Sequence, residues 1–128
     1  MTVTSLIYRL PSSLGFPFST AVRVGNIWHL SGQIGLLSGA TTVVPGGVGP
    51  ETKQTLANIK ALLEQVGSSM ADVIKVGVFL KDIATFDEMN AVYKTFFEPG
   101  SYPARSAVGA SGLALGANVE IECSALAH

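Results

Sequence analysis

Between Glu98 and Glu120 the only charged side chain is Arg105, set in the run Tyr102-Pro103-Ala104-Arg105-Ser106. The Ala, Val, Gly, Leu and Ser around it read as packed strand and loop. A guanidinium keeps its proton at any working pH, and burying it unpaired is costly, so Arg105 needs an anion. Glu120 and Glu122 are candidates. They alternate with Val119, Ile121, Cys123 and Ala125 in the last apolar stretch and project from one face of a strand. Two readings stand open. Arg105 makes a structural salt bridge to a glutamate on an adjacent strand, or it grips the carboxylate of a small substrate in a bidentate contact. In the second case a nearby glutamate handles protons or orients a water.

Other chemistries find little support. The two histidines, His29 and His128, are far apart in sequence, and Cys123 is the single cysteine. Without His-x-x-x-His or Cys-x-x-Cys spacing, no metal site is expected. Ser111, in Gly-Ala-Ser-Gly, misses the Gly-x-Ser-x-Gly elbow. Cys123 lies among apolar strand positions and reads as a buried, inert thiol. The glycines of Gly35–Pro50 are not followed by Gly-Lys-Ser/Thr, so a flexible connection is preferred to a phosphate loop. A net charge of −1 and a pI near 6.0 supply no basic field, which argues against nucleic acid as the main partner. One cysteine fits a reducing cytosol. No segment has the length of a membrane span, and Met1–Leu10 lacks the basic-then-apolar order of a secretory signal.

The positioning elements follow from periodicity. Leu6–Leu10 reads as a short strand. Thr20–Val24 and Ile27–Ser31 are arms of a hairpin about Gly25-Asn26, and Ser31-Gly32-Gln33 closes the second arm. Gly35–Pro50 reads as a long surface loop with a short extended piece at Thr41–Val44. Glu51–Val66 is the clearest helix, with Leu56, Ile59, Leu62, Leu63 and Val66 at helical spacing and Gly67 as its stop. In the strand Asp72–Leu80, Ile74, Val76, Val78 and Leu80 share one face, while Val73 and Phe79 add apolar groups to the other. Thr85-Phe86-Asp87-Glu88 has the pattern of a capping box opening a second helix. Its stripe Phe86, Met89, Tyr93, Phe96 and Phe97 reads as core. Arg105–Ala110 and Val119–Ala127 are further strands.

Strand–helix–strand connections on either side of Asp72–Leu80 predict parallel neighbours with both helices on one sheet face. The 128 residues fit a single domain, 1–128. The chain is 48% hydrophobic and 13% charged, against about a quarter charged in a typical soluble domain. So small a domain cannot hide that much apolar surface alone. The expectation is an α+β homo-oligomer, a mixed sheet with two helices on one face and the bare sheet faces packed together.

Several blocks resemble the RidA/YjgF family of reactive-intermediate deaminases. They are Ser31-Gly32-Gln33-Ile34, Gln54-Thr55-Leu56-x-Asn58-Ile59 and Val73-Ile74-Lys75-x-x-Val78-Phe79-Leu80-Lys81-Asp82. Met89-Asn90-x-Val92-Tyr93-x-x-Phe96-Phe97, Pro103-Ala104-Arg105-Ser106 and Val119-Glu120-Ile121-Glu122 complete the set, in family order from about Pro17 onward. The resemblance implies a chorismate-mutase-like fold and a homotrimer with sites in clefts between subunits. It implies hydrolysis of enamine/imine acids such as 2-iminobutanoate, 2-iminopropanoate and 2-aminoacrylate to a 2-keto acid and ammonia, with no cofactor or metal. By position, Arg105 resembles the family's substrate-carboxylate arginine and Glu120 the glutamate that positions water, with Glu122 structural. Ser31 resembles a pocket serine and Asn90 a recurrent asparagine. Where many members carry Pro-Tyr-Ser-Gln, this chain has Pro17-Phe18-Ser19-Thr20, which keeps a ring and loses a phenol hydroxyl. Ala107 stands where some members carry cysteine, leaving only a backbone carbonyl for water. These two departures bear on substrate range.

Alternatives from the same residues are a hydrolase of similar architecture acting on a 2-aminomuconate-like or amide substrate, and a non-catalytic ligand-binding or RNA-directed translation-inhibitor module. Keto-acid release in a coupled dehydratase assay separates the deaminase from both.

Overall fold

A computed structural model describes residues 6–128, so part of the N-terminal stretch read for a secretory signal lies outside the described residues. The strands are β1 (Ile7–Pro11), β2 (Ser19–Val24), β3 (Ile27–Gln33), β4 (Val73–Leu80), β5 (Ala104–Gly109) and β6 (Val119–Leu126). The helices are α1 (Val48–Gln65) between β3 and β4, and α2 (Phe86–Tyr93) between β4 and β5. The β2–β3 hairpin closes with Val24 opposite Ile27. Gly25 alone of the turn pair has a positive φ, 58°, the pattern of a type II′ turn, whose twist matches the flanking strands.

The six strands form a single sheet in the order β1-β2-β3-β6-β4-β5. β4 and β5 are parallel neighbours, as the α2 crossover predicts, but β3 and β4 are not paired. β6 lies between them, antiparallel to both. Its inner residues explain the insertion. Val119, Ile121 and Ala125 are fully buried and Cys123 nearly so, and a strand so apolar on one face gains most from the centre of the sheet.

Both helices cover the same sheet face, as expected. Leu56, Ile59, Leu62 and Leu63 of α1 and Met89 and Tyr93 of α2 join Trp28, Leu30, Val76, Val78, Leu80 and the inner face of β6 in one core. Ile74 is not part of it. The β4–β6 register breaks between Val73 and Lys75, which turns Val73 inward and leaves Ile74 43% exposed. A bulge of this kind reassigns side chains between faces without altering the alternation beyond it.

The helix starts also differ from the sequence reading. α1 begins at Val48 rather than Glu51, and Thr41–Val44 forms no strand. Pro50 fits the first turn because its missing N–H would have no helical partner there. Before α2, Thr85 donates its hydroxyl to the Asp82 carbonyl at 2.6 Å, and the Asp82 carboxylate accepts from the Ala84 N–H at 2.9 Å. A 3₁₀ turn at Ile83–Thr85 precedes α2, so the capping aspartate lies three residues upstream of the expected capping box, which does not form.

The opposite sheet face carries no helix. It is more polar than two-sided apolar strands predict: Phe79 and Val108 share a depression of about 410 Å³ with His29, Lys75, Ser106, Glu122 and Ser124.

Candidate active site

Arg105 stands on β5, the edge strand, opposite Val76 of β4. Val76 belongs to the core, so the alternation of β5 turns Arg105 and Ala107 toward the helices and Ala104, Ser106 and Val108 away. The half-buried guanidinium meets α2 from below. Its Nη1 donates to Asn90 Oδ1 at 2.6 Å. Its carbon lies 4.6 Å from the centre of the Tyr93 ring and 5.5 Å from that of Phe86. Such cation–π contacts contribute about 0.5–2 kcal/mol each according to exposure. A neutral amide and two ring faces orient the charge without neutralising it. Burial pushes the Tyr93 phenol up to about 12, against the opposing pull of the Arg105 charge. The group is therefore a neutral hydroxyl at ordinary pH, and it is buried with no hydrogen-bond partner among the described residues.

An open cavity of about 420 Å³ borders this guanidinium, lined by Asn90, Tyr93, Lys94, Tyr102, Pro103 and Arg105. No carboxylate lines it. Among the described residues the only ion pair is His128 with Asp72, at 2.9 Å. The salt-bridge reading of Arg105 is therefore overturned, for a topological reason. β6 does not neighbour β5, and its glutamates project from the other sheet face.

Glu120 sits on that helix-free face, opposite Phe79 of β4. Its carboxylate lies across Gly32 of β3, where a Cβ would fall 2.6 Å from Oε2. Glu122 lies the same way across Gly77 of β4, where a Cβ would fall 3.1 Å from its Cγ. Bare backbone on each flanking strand thus gives the two acids room to lie flat. Burial, and secondly the charge of Glu122, raise the Glu120 carboxyl above its ordinary value. The start of β6 is held by Glu51, 1% exposed in the first turn of α1, whose carboxylate accepts from both the backbone N–H and the side-chain amide of Asn118.

The remaining expected residues divide. Asn90 joins Arg105 directly. Ala107 is two residues along the same face of β5 and packs on the core beside Val78. Ser31 spends its hydroxyl on the Ser19 carbonyl at 2.6 Å, tying β3 to the entry of β2. Phe18 is 48% exposed in the turn before β2, stacked on Phe16 with ring centres 6.3 Å apart. β3 and β5 are separated by β6 and β4, a lateral span of about 14 Å at the usual strand spacing. Within one chain, Arg105, Asn90 and Ala107 therefore lie together on the helix side of β5. Glu120, Ser31 and Phe18 lie elsewhere, with Glu120 on the opposite face. Among the described residues no group of three or more His, Cys, Asp or Glu is placed to hold a metal. Cys123 is buried, as expected, and burial followed by the Glu122 charge pushes its thiol up to about 12.

The sequence reading missed three participants. Phe86 and Tyr93 do pack on the core, as their helical spacing predicts, but spacing alone does not show that the same rings also roof a cation. Gly32 carried a usable signal, since a glycine inside a strand often marks close approach by another group.

Residues 11–127 match the family model described as Endoribonuclease L-PSP. The chain belongs to that family, which is also the YjgF/RidA family. It is 43% identical over 112 residues to the 2-iminobutanoate/2-iminopropanoate deaminase of Dermatophagoides farinae, covering 88% of this chain and 86% of that one. The mouse protein of the same name is 41% identical over 118 residues, covering 92% and 86%. Among solved structures, RidA from an Antarctic Psychrobacter superposes with a TM-score of 0.82 at 36% identity, over 92% of this chain and 94% of that one. YyfA of the Rid family from Yersinia pestis gives 0.84 at 35% identity, over 92% and 93%.

Proposed function

We propose that this protein is a 2-iminobutanoate/2-iminopropanoate deaminase whose active site is completed between copies of the chain. The observation that carries this reading is Arg105, oriented by Asn90 and two rings in an open cavity, with no carboxylate to neutralise it. A small imino acid supplies the missing anion. The curated relatives, at about the same chain length, bear the name of that activity.

Arg105 docks the substrate carboxylate beside the C=N bond. Water adds to the imine carbon, the C–N bond of the resulting carbinolamine breaks, ammonia leaves and the carbonyl of the 2-keto acid forms. Glu120 of a second copy holds the attacking water and accepts its proton, a role its raised carboxyl suits. A protonated imine is already electrophilic, so orientation and charge placement suffice, and no cofactor or metal enters the scheme. A homotrimer in a chorismate-mutase-like arrangement, with the helix-free faces packed together, would bring Glu120 of one copy toward Arg105 of the next. The cytosol is the compartment most consistent with the single buried thiol. RNA cleavage, the activity in the family's description, has less support from the residues: each histidine ring is already engaged, His29 with Ser124 and His128 with Asp72.

Arg105→Ala is expected to abolish turnover of freshly generated 2-iminobutanoate while the assembly persists. Refolding Arg105→Ala together with Glu120→Gln should restore part of the activity, because some mixed interfaces then hold both native groups. Wild-type turnover by assembled Arg105→Ala would refute the reading, and failure of the mixture to recover any activity would refute the shared site.

A further inference from the structure

The cavity beside Arg105 carries more positive charge than a single carboxylate requires. Two of its lining residues, Lys94 and Arg105, are cations, and none is an acid. Lys94 directly follows Tyr93, whose ring stacks on the guanidinium, and opens the 3₁₀ turn Lys94–Phe96 at the end of α2. An exposed lysine at a helix C-terminus is favourable on general grounds and by itself only a solvated charge. Here it borders the same space as an arginine that lacks an internal counter-ion. Two like charges lining a cavity with no anion between them suit a ligand that brings two negative groups. Tyr102, 50% exposed on the same wall, adds a hydroxyl donor.

We propose that this cavity takes imino and keto acids bearing a second acidic group, the α-carboxylate on Arg105 and the distal carboxylate near Lys94, so that Lys94 is a specificity-determining residue. The assignment rests on the reading of Arg105 as the carboxylate dock.

Calorimetric titration of the assembled protein with 2-oxobutanoate and with 2-oxoglutarate at low ionic strength tests it. The diacid is expected to bind more tightly. Lys94→Gln should lower the ratio of the two affinities about three- to fivefold, the scale of a partly exposed charge pair, and Lys94→Glu should lower it further. Raising salt to about 0.5 M should compress the wild-type ratio. Lys60→Gln, which removes an exposed lysine of α1 outside the cavity, should leave the ratio as it was. Equal affinities in the wild type, or a ratio indifferent to Lys94→Gln, would overturn the proposal. The deaminase reading fails separately, by loss of Arg105 dependence in 2-iminobutanoate turnover. Arg105-dependent turnover beside a Lys94-indifferent ratio would sink only the diacid preference.

Discussion

Replacing Gly32 by alanine tests the placement of Glu120 more sharply than removing the glutamate itself. The new Cβ would stand 2.6 Å from Glu120 Oε2, 2.9 Å from Cδ and 3.1 Å from Cγ. Non-bonded carbon contacts settle near 3.5–4.0 Å, so the carboxylate must retreat by about 1 Å. Gly32 has no positive φ, so alanine is not strained there, and the displaced group is the far end of a flexible side chain. The cost to folding should stay near 1 kcal/mol or below. Catalysis is less forgiving, because a displacement of about 1 Å can cost on the order of 100-fold. Gly32→Ala is therefore expected to lose one to two orders of magnitude in kcat for 2-iminobutanoate, with KM little changed, while Tm falls by only a few degrees. Gly77→Ala is the matched control. It crowds Glu122 on the same face, at 3.1 Å, and Glu122 has no assigned step, so a several-fold loss at most should result. Keto-acid release from a coupled dehydratase reports kcat, and calorimetry reports Tm. A folded, assembled Gly32→Ala protein with wild-type kcat would refute the placement of Glu120, as would equal losses in the two variants.

Two further outcomes follow from the acids of the fold. Glu120 has its carboxyl raised by burial and by Glu122, so the folded chain holds that proton to higher pH than the unfolded chain does. The resulting stability is complete below the ordinary carboxylate range and is lost as pH rises through the raised value. Glu120→Gln should therefore raise Tm more at pH 7 than at pH 4 while abolishing turnover, and an equal shift at both pH values would contradict the assignment. Glu51→Ala removes the buried carboxylate that accepts from the half-buried Asn118 N–H and should cost about 1–3 kcal/mol in urea unfolding. Glu51→Gln keeps one acceptor oxygen for that N–H but sets an NH2 against the Asn118 side-chain amide, and should recover only part of the loss.

Local periodicity made much of the fold legible. The hairpin about Gly25 follows from two β-rich arms and a turn pair, α1 from the spacing of Leu56, Ile59, Leu62 and Leu63, and the inner face of β6 from strict alternation. Arg105 stood out as a candidate for a chemical reason, since a lone guanidinium in apolar surroundings demands an anion wherever it sits. Asn90 entered through the family resemblance, and its 2.6 Å bond to Arg105 supplies the physical reason for it. Helix starts were less legible, because the 3₁₀ turn before α2 moved the capping role from Thr85 to Asp82.

Residue types and spacings thus determined the elements and nominated the cation and the two acids. Only tertiary pairing decided which of them share a side. By inserting β6 between β3 and β4, the sheet turned Arg105 toward the helices and Glu120 toward the bare face, and laid Glu120 across Gly32, 88 positions earlier in the chain. Sidedness in a sheet depends on register with strands distant in sequence, and a one-residue slip, such as the bulge beside Ile74, reverses it.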